Sequence, residues 1–210
     1  MSKCIVKSFP EAQDYNNILE LMQDFTQNRT HDTLDQIWLL EHKPIYTYGA
    51  HTKPKLPGGI IPAVKTDRGG NITYHAPGQI ILYPLIDTRR LKYSIHGMVE
   101  RLEQLVISIL ESYQIKPKLI PERRGVYVGN SKIASIGLRF KKYCSYHGLA
   151  LNVNLDLKPF SLIEPCGYQQ ETTSLLELGI QASLESIQKQ ILQLIPQVLE
   201  LEITEETICQ

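Results

Sequence analysis

Residues 164–168 of the chain read EPCGY, which sets Cys166 between a proline and a glycine in backbone too irregular for a strand interior. A thiol there, shortly ahead of an expected helix start, is placed for the helix dipole to favour its thiolate. Burial as a small apolar group is the commoner fate of a cysteine, and that reading fits Cys4, Cys144 and Cys209. A nucleophilic sulfur needs a neighbour that takes its proton or steadies its charge, and the candidates are His75, His147 and Lys132. Lys132 stands in SKIASIG, among small and apolar residues, where desolvation would bring an amine toward a usable base. A hairpin lysine directed at water explains it equally well. Each histidine also reads as a hydrogen-bonded core residue, and neither has the i,i+4 company of a metal site. Arg68-Gly69-Gly70 is a turn between strands, or else a place where backbone N–H groups approach an oxyanion.

These residues need elements to hold them. CIVKSF alternates as a strand, and Ser8, Pro10 and Glu11 form a capping-box pattern that predicts a helix opening there. Tyr15, Ile18, Leu19, Met22 and Phe25 then recur at helical spacing. IWLLEH and IYTYG read as short strands around Pro44, and TKPKLPGGIIP as a loop. IPAVKTD, NITYH and QIILYPLID are strands, the last covered on both faces because it scarcely alternates. Ser94 caps a helix whose stripe runs from Ile95 to Tyr113. GVYVGNSKIASIGLRF is a hairpin turning at Gly129-Asn130, and CSYHGLALNVNLD a further strand. A short helix through SLLELG and an amphipathic one from about Leu184 to Leu199 complete the chain. Hairpins stand where a doubly wound sheet would need crossover helices, so the class is α+β, with a mixed or antiparallel sheet, in a single domain over residues 1–210.

Composition excludes several classes. Lysine plus arginine equals aspartate plus glutamate at 22 each, against the basic excess of a nucleic-acid binder. The four cysteines lack CxxC spacing, so no zinc site or disulfide framework is expected, and a reducing compartment fits. No apolar run is long enough for a signal peptide or a membrane span, so a cytoplasmic protein is expected.

Taken together, RGGNITYHAPGQIILYPL, SKIASIGLR, YHGLALNV and EPCGY, in this order and at these separations, resemble the lipoyl(octanoyl) transferase family. One departure is Ala76, where many members carry glycine. The resemblance implies a fold similar to the biotin and lipoate protein ligase catalytic domains, with a large and a small sheet flanked by helices. It implies a catalytic dyad on Cys166 and Lys132, and acyl-binding elements on Arg68, Gly69, Gly70, Asn71, Ile72, Thr73, Tyr74 and His75, on Ser135, Ile136 and Gly137, and on Gly148, Leu149 and Ala150. His75 with Gln79 would fix the polar rim of an apolar slot. The implied reaction moves an octanoyl group from octanoyl-acyl carrier protein to a lysine of lipoyl domains, on 2-oxoacid dehydrogenase E2 subunits and the glycine-cleavage H protein, through a cysteine thioester. No cofactor and no metal are expected. Arg89, Arg90, Lys141 and Lys142 are candidate docking charges for the acidic carrier, or simply solvated surface. The alternatives are an ATP-dependent lipoate or biotin ligase, an octanoyl or lipoyl amidotransferase, and an acyl-binding module without catalysis.

Overall fold

The molecule is described by a computed structural model over residues 1–91, 93–164 and 171–209. Its strands are β1 (Ser2–Gln13), β2 (Asp35–His42), β3 (Ile45–Tyr48), β4 (Ala63–Lys65), β5 (Thr73–His75), β6 (Gln79–Leu85), β7 (Pro117–Ile120), β8 (Arg123–Val128), β9 (Ser131–Lys141), β10 (Cys144–Asn152) and β11 (Leu201–Ile208). The helices are α1 (Tyr15–Asn28), α2 (Ile95–Ser112) and α3 (Leu184–Val198). Eight strands form one sheet in the order β11-β1-β2-β6-β10-β9-β8-β7, and β4-β3-β5 form a smaller one. The large sheet is mixed, because β1 runs parallel to both β2 and β11 while its other neighbours pair antiparallel.

Two layers cover the large sheet. Met98, Leu102, Leu105 and Ile109 of α2 and Ile187, Ile191 and Ile195 of α3 pack on Ile37, Leu39, Ile80, Leu82, Leu149 and Leu151. On the opposite face Ile18 and Met22 of α1 meet Trp38, Leu40, Ile81, Tyr83 and Ala150. Successive strand side chains therefore go to different layers, and both β6 and β10 are buried along their whole length. The small sheet has its own cluster, Tyr46, Ile72, Tyr74, Ala76, Leu155, Phe160 and Ile163.

The helix expected to open at Ser8 does not: Ser8, Pro10 and Glu11 lie in β1, which is paired on both sides. Those ladders take the backbone groups a helix would have used, and Pro10 falls where the register to β2 shifts between Ser8 and Ala12, a place that tolerates a missing N–H. Asp14 is the true N-cap of α1, accepting from the N–H groups of Asn16 at 2.9 Å and Asn17 at 3.2 Å. Ser94 caps α2 as expected, by accepting from Gly97 N. The SLLELG segment makes only turns, ending at Gly179 with φ +82°. The strands β7 and β11 had no clear signature, being short or mostly exposed edge strands.

Candidate active site

A cavity of about 250 Å³ lies between the large sheet, the small sheet and the start of α1. Three stretches from three different elements line it: the Arg68 to Thr73 loop with His75, the middle of β9 at Ser135, Ile136 and Gly137, and the middle of β10 at Gly148, Leu149 and Ala150. Lys132 lines it as well. Tyr74 stands apart. Strand alternation turns it to the other side of β5, where it packs edge-on against Phe160 with ring centroids 5.5 Å apart.

Close backbone approach explains two glycines. Gly69 N donates to Leu138 O at 3.1 Å, which stitches the RGG loop to β9. A Cβ on Gly137 would stand 2.8 Å from Gly69 O, so a side chain there would lift the loop away. At Gly148 a Cβ would meet Leu82 O at 2.2 Å, between β10 and β6.

Arg68 acts as a brace inside the wall. Its guanidinium donates to Thr47 O at 2.7 Å, Thr47 Oγ1 at 3.0 and 3.2 Å, Asn71 O at 2.7 Å and Gly69 O at 2.9 Å. Thr47 Oγ1 passes a hydrogen bond to His75 Nε2 at 3.2 Å, and His75 Nδ1 donates to Gln79 Oε1 at 2.7 Å. Gln79 Nε2 donates to Asn152 Oδ1 at 2.9 Å, and Asn152 Nδ2 to Thr173 O at 2.9 Å. This orientation needs a neutral imidazole. Burial supplies it by pulling His75 well below the ordinary histidine value, with His42 adding to the effect. His75 and Gln79 are thus buried members of the wall and do not form the expected rim.

The chain of bonds ends beside Lys132. Thr173 N donates to Lys132 O at 2.9 Å and Lys132 N to Glu171 O at 2.8 Å, so residues 171–173 run along the start of β9 like an added strand. The Lys132 Nζ lies 5.3 Å from the centroid of the Tyr127 ring.

At the end away from Lys132 the cavity is lined by three buried rings, Tyr15 and, from within the motif stretches, Tyr83 and His147. His147 Nε2 donates to Asp67 Oδ1 at 2.8 Å, and Tyr146 OH donates to Asp67 Oδ2. Burial pushes the Asp67 carboxyl up, but these two hydrogen bonds more than reverse it and hold the group well below the carboxylate range. His147 is pulled below the usual histidine value by burial, against the pull of Asp67. An ionised carboxylate facing a neutral imidazole puts the proton on Nε2, leaving Nδ1 to accept a long bond from Tyr15 OH at 3.5 Å. Among the described residues no group of three or more His, Cys, Asp or Glu side chains is arranged to hold a metal ion.

Comparison with known proteins gives this geometry a family. The lipoyl protein ligase A/B catalytic domain matches residues 14–195. The octanoyltransferase of Vibrio atlanticus is 44% identical over 201 residues, covering 94% of this chain and 91% of that one. The chain belongs to the octanoyltransferase family. The octanoyltransferase of Laribacter hongkongensis is 47% identical, with 85% of this chain and 88% of that one covered. Among solved structures, a lipoate-protein ligase A bound with ATP superposes with a TM-score of 0.77 at 13% identity, over 100% of this chain and 90% of that one. Biotin protein ligase from Aquifex aeolicus gives 0.53 at 15% identity, over 95% of this chain and 70% of that one. At these identities the likeness is one of fold, and it is the ligase-type fold expected from the motifs.

Of the family motifs, EPCGY carries the expected nucleophile, and Cys166 lies outside the described residues. The arginine pair is engaged within the chain: Arg89 bonds Asp87 at 2.6 Å, and Arg90 bonds Asp35 at 3.3 Å and Thr33 O at 2.8 Å. Ala76 is not among the residues with positive φ, so an alanine costs that turn nothing. Tyr15 and Tyr83 read in sequence as ordinary core residues. Asp67 had one faint signal, an acid directly beside the RGG motif.

Proposed function

We propose that this chain transfers an octanoyl group from octanoyl-acyl carrier protein to a lysine of lipoyl domains, with Cys166 as nucleophile and Lys132 as its acid and base. The observation that carries the reading is one cavity walled by the three stretches to which the resemblance assigns acyl binding, with Lys132 on its lining. At 250 Å³ it is below the roughly 300–1,000 Å³ of pockets for drug-sized ligands, which suits a thin chain. Burying about six methylenes at ~0.8 kcal/mol each would contribute up to ~5 kcal/mol before ordering costs.

In the first step the Cys166 thiolate, its proton held on Lys132, attacks the octanoyl thioester carbonyl. The tetrahedral oxyanion collapses and expels the carrier's thiolate, which takes the proton from Lys132. In the second step a lipoyl-domain amine attacks the Cys166 thioester, passes its proton to Lys132 and releases the Cys166 thiolate. The net change is thioester and amine to amide and thiol, which is downhill without ATP. Backbone N–H groups near the glycines are the candidate oxyanion donors. The acceptors are the lipoyl domains of 2-oxoacid dehydrogenase E2 subunits and the glycine-cleavage H protein, and the enzyme works in the cytoplasm.

Intact mass spectrometry after mixing with octanoyl-acyl carrier protein tests this. The expected result is one octanoyl group on Cys166 that disappears when a lipoyl domain is added. Turnover with Cys166 unmodified, or turnover that requires ATP and releases pyrophosphate, would overturn it.

A further inference from the structure

The family reading accounts for the cavity walls and leaves its closed end unexplained. Tyr15, Tyr83 and His147 gather there with Asp67 and Tyr146 behind them, and His147 reaches the place by an unusual route. Along β10, Ala150 and Tyr146 face α1, whereas Leu149 and Leu151 face α2 and α3. Regular alternation would send the His147 side chain with those of Leu149 and Leu151, toward the α2 and α3 layer and away from Asp67 and Tyr15. Instead His147 takes φ +56°, a conformation that non-glycine residues adopt at a cost, within a ladder whose pairing to β9 continues unbroken on both sides. The result is that consecutive residues, Tyr146 and His147, both bond Asp67. Such strain persists only where surrounding contacts over-determine it, and the 2.8 Å bond to Asp67 is that contact, the Tyr15 hydroxyl standing at a marginal 3.5 Å.

The position along the sheet matters as much. His147 pairs with Leu138, six positions along β9 from Lys132, or about 20 Å at ~3.3 Å per residue. From C–C bonds of about 1.5 Å an extended eight-carbon chain spans roughly 9 Å. With the Lys132 side chain and a thioester at one end, the last carbons of such a chain arrive at the rings. Those rings offer carbon to a ligand because their polar atoms are already engaged with one another. His147 bonds Asp67 and Tyr15, and Tyr83 OH bonds His42 Nε2 at 2.8 Å.

We propose that Tyr15, Tyr83 and His147 form a fixed stop that sets the acyl chain length this enzyme accepts, with Asp67 as the positioning residue that holds His147 in its strained conformation. The proposal rests on the octanoyl-transfer reading above and adds the determinant of its selectivity. Asp67 does not touch the acyl chain. Its removal lets the His147 backbone relax toward regular alternation and opens the end of the slot.

The test measures kcat/KM with octanoyl-, decanoyl- and dodecanoyl-acyl carrier protein for the wild type and for Tyr15→Ala, Tyr15→Phe and Asp67→Ala. Each methylene newly accommodated is worth roughly fourfold in binding. Tyr15→Ala is therefore expected to raise the decanoyl to octanoyl ratio about tenfold, and Asp67→Ala to move it in the same direction. Tyr15→Phe keeps the ring and should keep the wild-type ratio. A folded Tyr15→Ala or Asp67→Ala protein whose ratio stays within twofold of the wild type would overturn the proposal. If instead the wild type forms no octanoylated product, the functional reading itself has failed, a distinct result.

Discussion

Replacing Arg68 by methionine separates bracing from acyl binding. The guanidinium makes its hydrogen bonds to Thr47, Asn71 and Gly69, and it lies in the cavity wall. Methionine fills similar space and donates nothing. The carbonyls of Gly69 and of the exposed Asn71 can turn to water, but Thr47 is fully buried and loses partners on both its oxygens. One charge-assisted bond at ~1.5–3 kcal/mol, plus an orphaned buried acceptor at ~1–3 kcal/mol, puts the loss near ~3–5 kcal/mol. Release of a buried guanidinium, which faces no carboxylate among these contacts, returns part of that, so ~2–4 kcal/mol is the expected net cost. Urea unfolding followed through Trp38, the chain's one tryptophan and a core residue, gives the value directly. The RGG loop should also loosen from β3, raising KM for the acyl donor more than it lowers kcat. A variant that loses under ~1 kcal/mol with unchanged KM would refute the bracing argument.

Three further outcomes are expected. Lys132→Ala should lower octanoyl transfer by ~10²–10⁴-fold with little change in melting temperature, since its side chain lines the cavity; unchanged turnover would remove it from the chemistry. Gly148→Ala should cost more than ~4 kcal/mol or yield no soluble protein, because the added carbon meets Leu82 O between two paired strands; a well-folded variant in thermal melts would contradict the geometry. Stability should fall on acidification below about pH 6.5, because burial pulls His42 down to about 4 and lowers His75 and His147 as well, so the unfolded chain takes up protons first. His42 alone contributes about 3 kcal/mol over the window from 6.5 to 4, and Asp67, depressed in the folded state, adds its loss only below about pH 4. Urea midpoints that are flat from pH 7 to pH 4.5 would refute this.

The parts legible in sequence were those where one local signal decides. α2 announces itself by a 3.6-residue stripe behind a serine cap, α3 by its amphipathic stripe alone, and β6 by an unbroken apolar run. The start of α1 was not legible, because the capping-box pattern at Ser8 is a local preference and the two ladders of β1 are long-range pairings that outweigh it. The RGG, SKIASIG and YHG stretches were readable as motifs, and their convergence on one cavity follows from the β9 to β10 register. The closed end was hidden for a physical reason. Period-two reasoning places His147 on the wrong face, and a positive φ at a non-glycine residue leaves no trace in the sequence.

A slot for an apolar chain could have been lined by leucine and valine alone, but such a wall would tend to close. Apolar walls left facing water across a slot are drawn together at about 25 cal/mol for each Å² they would bury. Directional bonds resist that collapse, because a hydrogen-bonded side chain that moves into the void leaves a buried partner unpaired. The run from Arg68 through Thr47, His75, Gln79 and Asn152 to Thr173 spans the wall from the RGG loop to the segment beside Lys132. The Asp67, His147 and Tyr15 set does the same at the far end. Both sets are neutral where they meet the cavity, apart from Arg68, whose charge is spread over three carbonyls and a hydroxyl. On the octanoyl-transfer reading proposed above, polar residues thus keep the slot open, and an acyl chain would bind without first ordering its own site.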